Sequence, residues 1–181
     1  MRYIASVILA LVSPLVFSQE QAPPEPATKL EAFQATTGTV VVRGYTTAGT
    51  VRGLGGVITV DAREFRDASN LGKRVTGISI SVKETSRLER ENTSFIDAEE
   101  IESLLQGLEY IGKATKEVTS FENFEAEYRT KGDFRVTAFN DNSGQLNIAV
   151  SSGRIGKSTA YLKAPQLQEL KAFVEAARAK L

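Results

Sequence analysis

The segment Ser151 to Ser158, SSGRIGKS, comes within one residue of the phosphate-cradling loop pattern G-x-x-x-x-G-K-[ST], with serine where the pattern needs its first glycine. That chemistry requires a strand, the loop, and then a helix whose amino end faces the phosphate. Here Lys157-Ser158 instead opens a run that reads as a strand, Thr159 to Leu162, so a turn is expected. Arg154 and Lys157 remain a candidate anion loop, with the turn amides as further donors. Histidine and cysteine are both absent, which removes Ser-His and Cys-His nucleophiles, the usual general base and the usual zinc ligands. Carboxylates are left. Asp61, Glu64 and Asp67 lie close in sequence, but on a strand Asp61 and Glu64 have opposite parity and Asp67 falls in a turn, so solvated charge is the simpler reading. Asp141 to Gly144 is too short to supply the six or so oxygens that calcium needs. No cofactor and no metal is expected.

The second group with chemical potential is basic and aromatic. Arg129, Lys131, Arg135 and Phe139 flank one predicted turn, Lys131-Gly132-Asp133, and Tyr45, with Arg43 beside Gly44, has the same character in the first half. Together they form the candidate ligand or partner face. Phe124 and Tyr128 share a strand parity opposite to that of Glu127 and Arg129, which suits an aromatic core face backed by a charged one.

The elements that must position these residues follow a leader and a spacer. Met1 to Ser18 has a basic start, an uncharged apolar run from Ile4 to Phe17 and a small residue at Ser18, the pattern of a cleaved signal peptide. The apolar run falls short of the roughly 20 residues a membrane-spanning helix needs. Residues 19–28, QEQAPPEPAT, hold three prolines among polar residues and read as an extended spacer. Removing the leader takes away one base, Arg2, and no acid, so the 22 basic and 22 acidic residues of the whole chain stay almost balanced. The expected location is therefore export, to a bacterial periplasm or the exterior, with a cysteine-free globular domain over residues 29–181.

Within that domain the strand signals are period-two alternation and β-branched runs: Thr39 to Tyr45, Val57 to Phe65, Val75 to Val82 and Thr93 to Ile96, then Phe121 to Thr130, Phe134 to Asn140, Gln145 to Ser151 and Lys157 to Leu162. Each set of four runs into an amphipathic helix. The tract Thr93 to Ile111 recurs 66 residues later as Thr159 to Ala177, keeping Thr93/Thr159, Ala98/Ala164, Leu104/Leu170 and Glu109/Glu175. Asp97 and Glu100 read as a capping box for the first helix. Gly107, inside that helix, reads as room for a close approach to a sheet. The expected fold is α+β, two ββββα repeats at about residues 36–115 and 120–181, packed as a single domain with each helix lying across its own antiparallel sheet.

From Phe124 to Ala177 the order of elements resembles the four-strand-plus-helix repeat of Pur-alpha, Whirly and the transcriptional positive cofactor four. The resemblance implies single-stranded nucleic-acid binding on an open sheet face, with Arg129, Lys131, Arg135 and Phe139 as the matching kind of residue. The balanced charge, with Glu125, Glu127 and Asp133 beside those bases, departs from what a phosphate-tracking surface needs. The expectation is a non-catalytic exported binding or structural module of a bacterial envelope, with an unidentified envelope or extracellular partner. A single-stranded nucleic-acid binder and a carboxylate-dependent enzyme are the alternatives. A homo-oligomer joined through the edge strand Thr39 to Tyr45 is a further expectation.

Overall fold

A computed structural model describes residues 25–85, 89–141 and 144–181. The leader and most of the spacer lie outside the described residues. After a short helix α1 (Lys29–Gln34), four strands follow: β1 (Val41–Gly53), β2 (Gly56–Asp67), β3 (Asn70–Glu84) and β4 (Arg90–Asp97). A 3-10 turn, Ala98–Glu100, leads into helix α2 (Ile101–Lys113), a second 3-10 turn, Lys116–Val118, follows it, and β5 (Glu125–Arg129), β6 (Arg135–Asn140), β7 (Leu146–Ser152), β8 (Ser158–Leu162) and helix α3 (Ala164–Arg178) complete the order. The strands form two antiparallel sheets, ordered β1-β2-β3-β4 and β5-β6-β7-β8. The expected α+β class and two-repeat order are those observed. β1 runs well beyond Tyr45 because Ala48 is the extra residue of a bulge between Thr47 and Gly49, which flips the strand's parity and lets Val51 reach the core.

Alternation puts Ile58, Val60, Ile78, Ile80, Val82 and Ile96 on one face of the first sheet, and Val136, Ala138, Ile148, Val150, Ala160 and Leu162 on one face of the second. These faces, with Ile101, Leu104, Leu108 and Ile111 of α2 and Leu167, Leu170, Val174 and Ala177 of α3, make one continuous core. No helix among the described residues is long and apolar enough to cross a membrane.

The cross-strand registers align the two halves residue by residue. One row of the first sheet runs Gly49, Val60, Ile80, Ser94, and one of the second runs Tyr128, Val136, Val150, Ala160. Ser94 and Ala160 stand 66 residues apart, so the rows correspond, and Gly49 occupies the place that Tyr128 takes in the other half. By the same spacing Gly107 of α2 corresponds to Phe173 of α3.

The structure corrects one expectation here: the helices are exchanged. α3 packs on β1 and β2 of the first sheet, and α2 packs on β5 and β6 of the second. A Cβ on Gly49 would collide with the Phe173 ring, and one on Gly107 would collide with the Tyr128 ring. At one contact the strand supplies the hole and the helix the ring; at the other the roles reverse. Laid over its own sheet at equivalent positions, α3 would bring Phe173 onto Tyr128, while α2 would set Gly107 over Gly49. The exchanged arrangement avoids both the overlap and the void. Chain geometry helps, because β4 and β8, the strands that feed the helices, both lie where the two sheets meet.

The hairpin tips repeat the exchange. The β1-β2 turn docks on β8, with Leu54 and Tyr161 exchanging backbone hydrogen bonds of 2.8 and 2.9 Å. The β5-β6 turn docks on β4, where Gly132 presses against the Phe95 carbonyl and a side chain would not fit. Phe95 and Tyr161 are again 66 residues apart. Between the helices, Glu109 of α2 pairs with Lys171 of α3 at 2.5 Å, and Glu102 pairs with Arg178 at 2.5 Å. Lys113 and Lys171 together hold the Glu109 carboxyl down to about 2.

The short helix α1 was not legible as an element, although Thr28-x-x-Glu31 is a capping-box pattern and the box forms. Its Leu30 and Phe33 cover Phe65 on the outer face of the first sheet. Asp97 does not cap α2 as expected: its carboxylate accepts from the Lys29 and Leu30 amides of α1 at 2.8 and 3.1 Å. Glu100 accepts from the Lys131 amide of the docked turn at 2.9 Å. Both acids serve tertiary contacts rather than their own helix.

Gly107→Ala should therefore reverse the usual sign. In an open helix that change gains about 1 kcal/mol, whereas here the new methyl meets the Tyr128 ring and the loss should be about 1–3 kcal/mol. Urea unfolding of Gly107→Ala, Tyr128→Ala and the double variant checks this; strict additivity of the two losses would remove the proposed contact.

Candidate functional site

The face of the second sheet opposite the core is open. Because Ala126, Tyr128, Val136, Ala138, Ile148 and Val150 point inward, their strand neighbours must point out. The registers arrange the outward residues in three rows: Arg129, Arg135, Ser151, Thr159; then Glu127, Thr137, Ala149, Tyr161; then Glu125, Phe139, Asn147. All of them are half-buried or exposed. Three of the expected residues, Arg129, Arg135 and Phe139, are thus on one surface, and Lys131 stands exposed at the adjoining turn.

Arg129 and Arg135 are directly opposed across the strand pair, an arrangement that is unfavourable for like charges unless something lies between them. Asp133 does. Its side chain is only 3 % exposed, and its carboxylate pairs with Arg129 on one oxygen and, at 2.5 Å, with Arg154 Nε on the other. Arg135 Nη2 approaches to 3.6 Å. Asp133 sits at φ 64, a left-handed conformation that aspartate tolerates better than most residues. The turn that imposes it is pinned by Thr130, whose amide donates to the Phe134 carbonyl and whose carbonyl accepts from the Asp133 amide, and by the docking of Gly132 on β4. Burial pushes the Asp133 carboxyl up, but hydrogen bonds from Arg154 and Arg129 more than offset it and leave it below its ordinary value.

Arg154 reaches Asp133 from the β7-β8 turn, the segment with the near phosphate-loop pattern. A strand stands on each side of that turn and no helix follows, as the sequence implied. Within it the anion-loop pair does not converge by a shared contact. Arg154 turns back to Asp133, with Glu25 O at 3.2 Å and Glu31 at 3.9 Å, whereas the exposed Lys157 contributes its carbonyl to Arg90 at 3.5 Å. Asn92 spends its amide on Gly156 O and Ser158 Oγ at 2.9 and 2.8 Å.

Tyr45 and Arg43 lie on the other sheet. Arg63 stacks over the Tyr45 ring at 4.8 Å and donates to Ser79 and Asp61, both at 2.7 Å, while Thr47 donates to the second Asp61 oxygen. The three carboxylates weighed for catalysis are held separately. Asp61 is in that outer network, and Glu64, on the opposite face, binds Arg66 and Arg74. Asp67 accepts from Ser69 and Thr39 in its turn, which hold its carboxyl down to about 2. Among the described residues no group of three or more acids is placed to hold a metal ion. The residue that sequence reasoning missed is Asp133, read there only as one more acid near the bases. Its partner Arg154 comes 21 residues later, and no local pattern links them.

No protein-family model matches the chain, and no curated protein is detectably similar to it.

Asp133→Asn keeps the size and tolerates the backbone but removes the charge that gathers three arginines. It should cost about 1–3 kcal/mol at neutral pH. Because the folded carboxyl titrates below its unfolded value of 3.8, its contribution is present above that value and lost as pH falls through the folded one. The difference between wild type and Asp133→Asn in chemical unfolding should therefore shrink on acidification; a difference independent of pH would contradict the ionic role.

Proposed function

We propose that the protein is a non-catalytic, exported module of a bacterial envelope that holds a partner on the outer face of the second sheet. The observation that carries this reading is a surface bearing arginines, glutamates, hydroxyls and aromatic rings together, standing on a sheet whose other face packs on the core. Arg129, Arg135, Phe139 and Tyr161 stand on strands whose inner neighbours pack in or against the core, and one docked turn fixes the position of the arginines. Surfaces of this kind suit recognition, since their geometry is set before the partner arrives. The export part rests on the basic start and apolar run of residues 1–18. Glu125 and Glu127 share the face with the arginines, which counts against tracking a phosphate backbone and for a partner that presents mixed charge.

Capture from envelope extract with residues 19–181 tests the reading. Wild type and Tyr45→Ala, a change on the other sheet, should retain the same partner, and Phe139→Ala with Arg129→Glu should lose it. Equal capture by all three would overturn the placement on this face, and salt-sensitive retention of an oligonucleotide would favour the nucleic-acid reading instead.

One observation favours self-association as a second mode. The β4 and β8 edges are blocked by the other half's hairpin tips, whereas β1 is an outer strand of 13 residues with Val42 and Tyr45 exposed. An open edge of that length can accept another strand. Light scattering after size exclusion should give a dimer for wild type and a monomer for Val42→Lys; a monomeric wild type would dismiss the idea.

A further inference from the structure

We infer that the second sheet's outer face holds an oxyanion group, phosphate or carboxylate, at the row Arg129, Arg135, Ser151, Thr159; this inference deepens the partner-face reading above and rests on it. The corresponding row of the first sheet is the natural comparison. It runs Thr50, Thr59, Ser81, Thr93, with Thr93 and Thr159 in equivalent places. There the four hydroxyls satisfy one another in pairs, Thr50 with Thr59 at 3.4 Å and Ser81 with Thr93 at 2.7 Å. In the second sheet two of the four are arginines. The two remaining hydroxyls, Ser151 and Thr159, engage no side-chain partner among the described residues.

Arg135 is the residue that asks for a ligand. Its side chain is 17 % exposed, and among the described residues its single ion-pair partner stands at 3.6 Å, beyond hydrogen-bond distance, and its buried Nε meets no acceptor. A mostly buried guanidinium in that state carries an unmet desolvation cost. The charges around it balance: Arg129, Arg135 and Arg154 face Asp133, with Glu31 3.9 Å from Arg154 and Glu127 one row along, where it accepts from Thr137, and Glu84 takes the Thr159 amide at 2.9 Å, so donor geometry rather than net charge would select the ligand. Asp133 is already taken by Arg129 and Arg154. An oxyanion beside Arg135 offers its guanidinium an acceptor within hydrogen-bond reach, which Asp133 at 3.6 Å does not, and takes the Ser151 hydroxyl as a further donor. The fork of guanidinium donors matches paired oxygens of phosphate or carboxylate better than a halide.

The test titrates residues 19–181 with inorganic phosphate and, separately, acetate at constant ionic strength, with chloride as the control, and follows backbone and arginine Nε resonances by NMR. Saturable shifts are expected at Arg135 Nε and the Ser151 and Thr159 amides, with none at Thr59 and Ser81 of the equivalent row. Arg135→Lys keeps the charge and loses the fork, so binding should weaken about tenfold while the remaining spectrum stays folded. Sedimentation with phosphatidylcholine vesicles containing phosphatidylglycerol separates the sources: co-sedimentation that Arg135→Lys weakens assigns the group to a lipid headgroup, and shifts with the free anions alone assign it to a small ligand. Silence in both assays, or equal shifts in the two rows, would overturn the oxyanion. If the face variants still lose their captured partner, such silence refutes the ligand class and leaves the partner face standing.

Discussion

The fold depends on a reversal of size at one pair of equivalent contacts. Where α3 crosses β1, the ring of Phe173 fills the space left by Gly49; where α2 crosses β5, the ring of Tyr128 fills the space left by Gly107. Close packing penalises both overlap and void, so two repeats with these side chains fit each other better than they fit themselves. A duplicated chain that kept identical side chains at both contacts would have no such preference. The divergence of the two copies is what makes them a matched pair, and the shared core that results includes both sheets and both helices.

The same exchange governs the edges and, through them, the open face. Each half extends a hairpin tip onto the edge strand of the other, at Phe95 and at Tyr161. Docking the β5-β6 tip against β4 fixes the turn from Thr130 to Phe134, and that turn holds Asp133 in a left-handed conformation from which it faces Arg129 and Arg154. A contact that closes the domain therefore also sets the electrostatics of the surface proposed to bind. Glu100 joins the two by taking the Lys131 amide, which ties the start of α2 to the same turn. Disturbing the arginine cluster should be felt in the packing of the halves, because Asp133 follows directly on Gly132, the residue that docks on β4.

Much of this was legible before any coordinates. Alternation in Ile78-Ser79-Ile80-Ser81-Val82 is a strand with one buried face, and that is how it sits. The repeated tract from Thr93 and from Thr159 gave the two-copy plan, and opposite parity correctly separated Asp61 from Glu64 and Tyr128 from Arg129. The failures have physical causes. Asp97 and Glu100 carry a local capping pattern, but the amides of α1 and of the docked turn compete for those carboxylates and win. The continuation of β1 past Tyr45 was hidden by the bulge at Ala48, which breaks the very period that identifies a strand. Grouping Tyr45 with Arg129 required two sheets to present one face, and they present different ones.

By itself the sequence determined the eight strands and two long helices, the repeated order and the core-facing side of the plainly alternating strands, because these follow from periodicities of a few residues. It also determined that histidine and cysteine chemistry is unavailable. Tertiary structure decided which sheet each helix covers, which acid answers which arginine and which edge stays open. Those outcomes turn on contacts such as Gly49 with Phe173 and Asp133 with Arg154, between residues far apart along the chain, where complementarity of shape and charge leaves no local pattern to read.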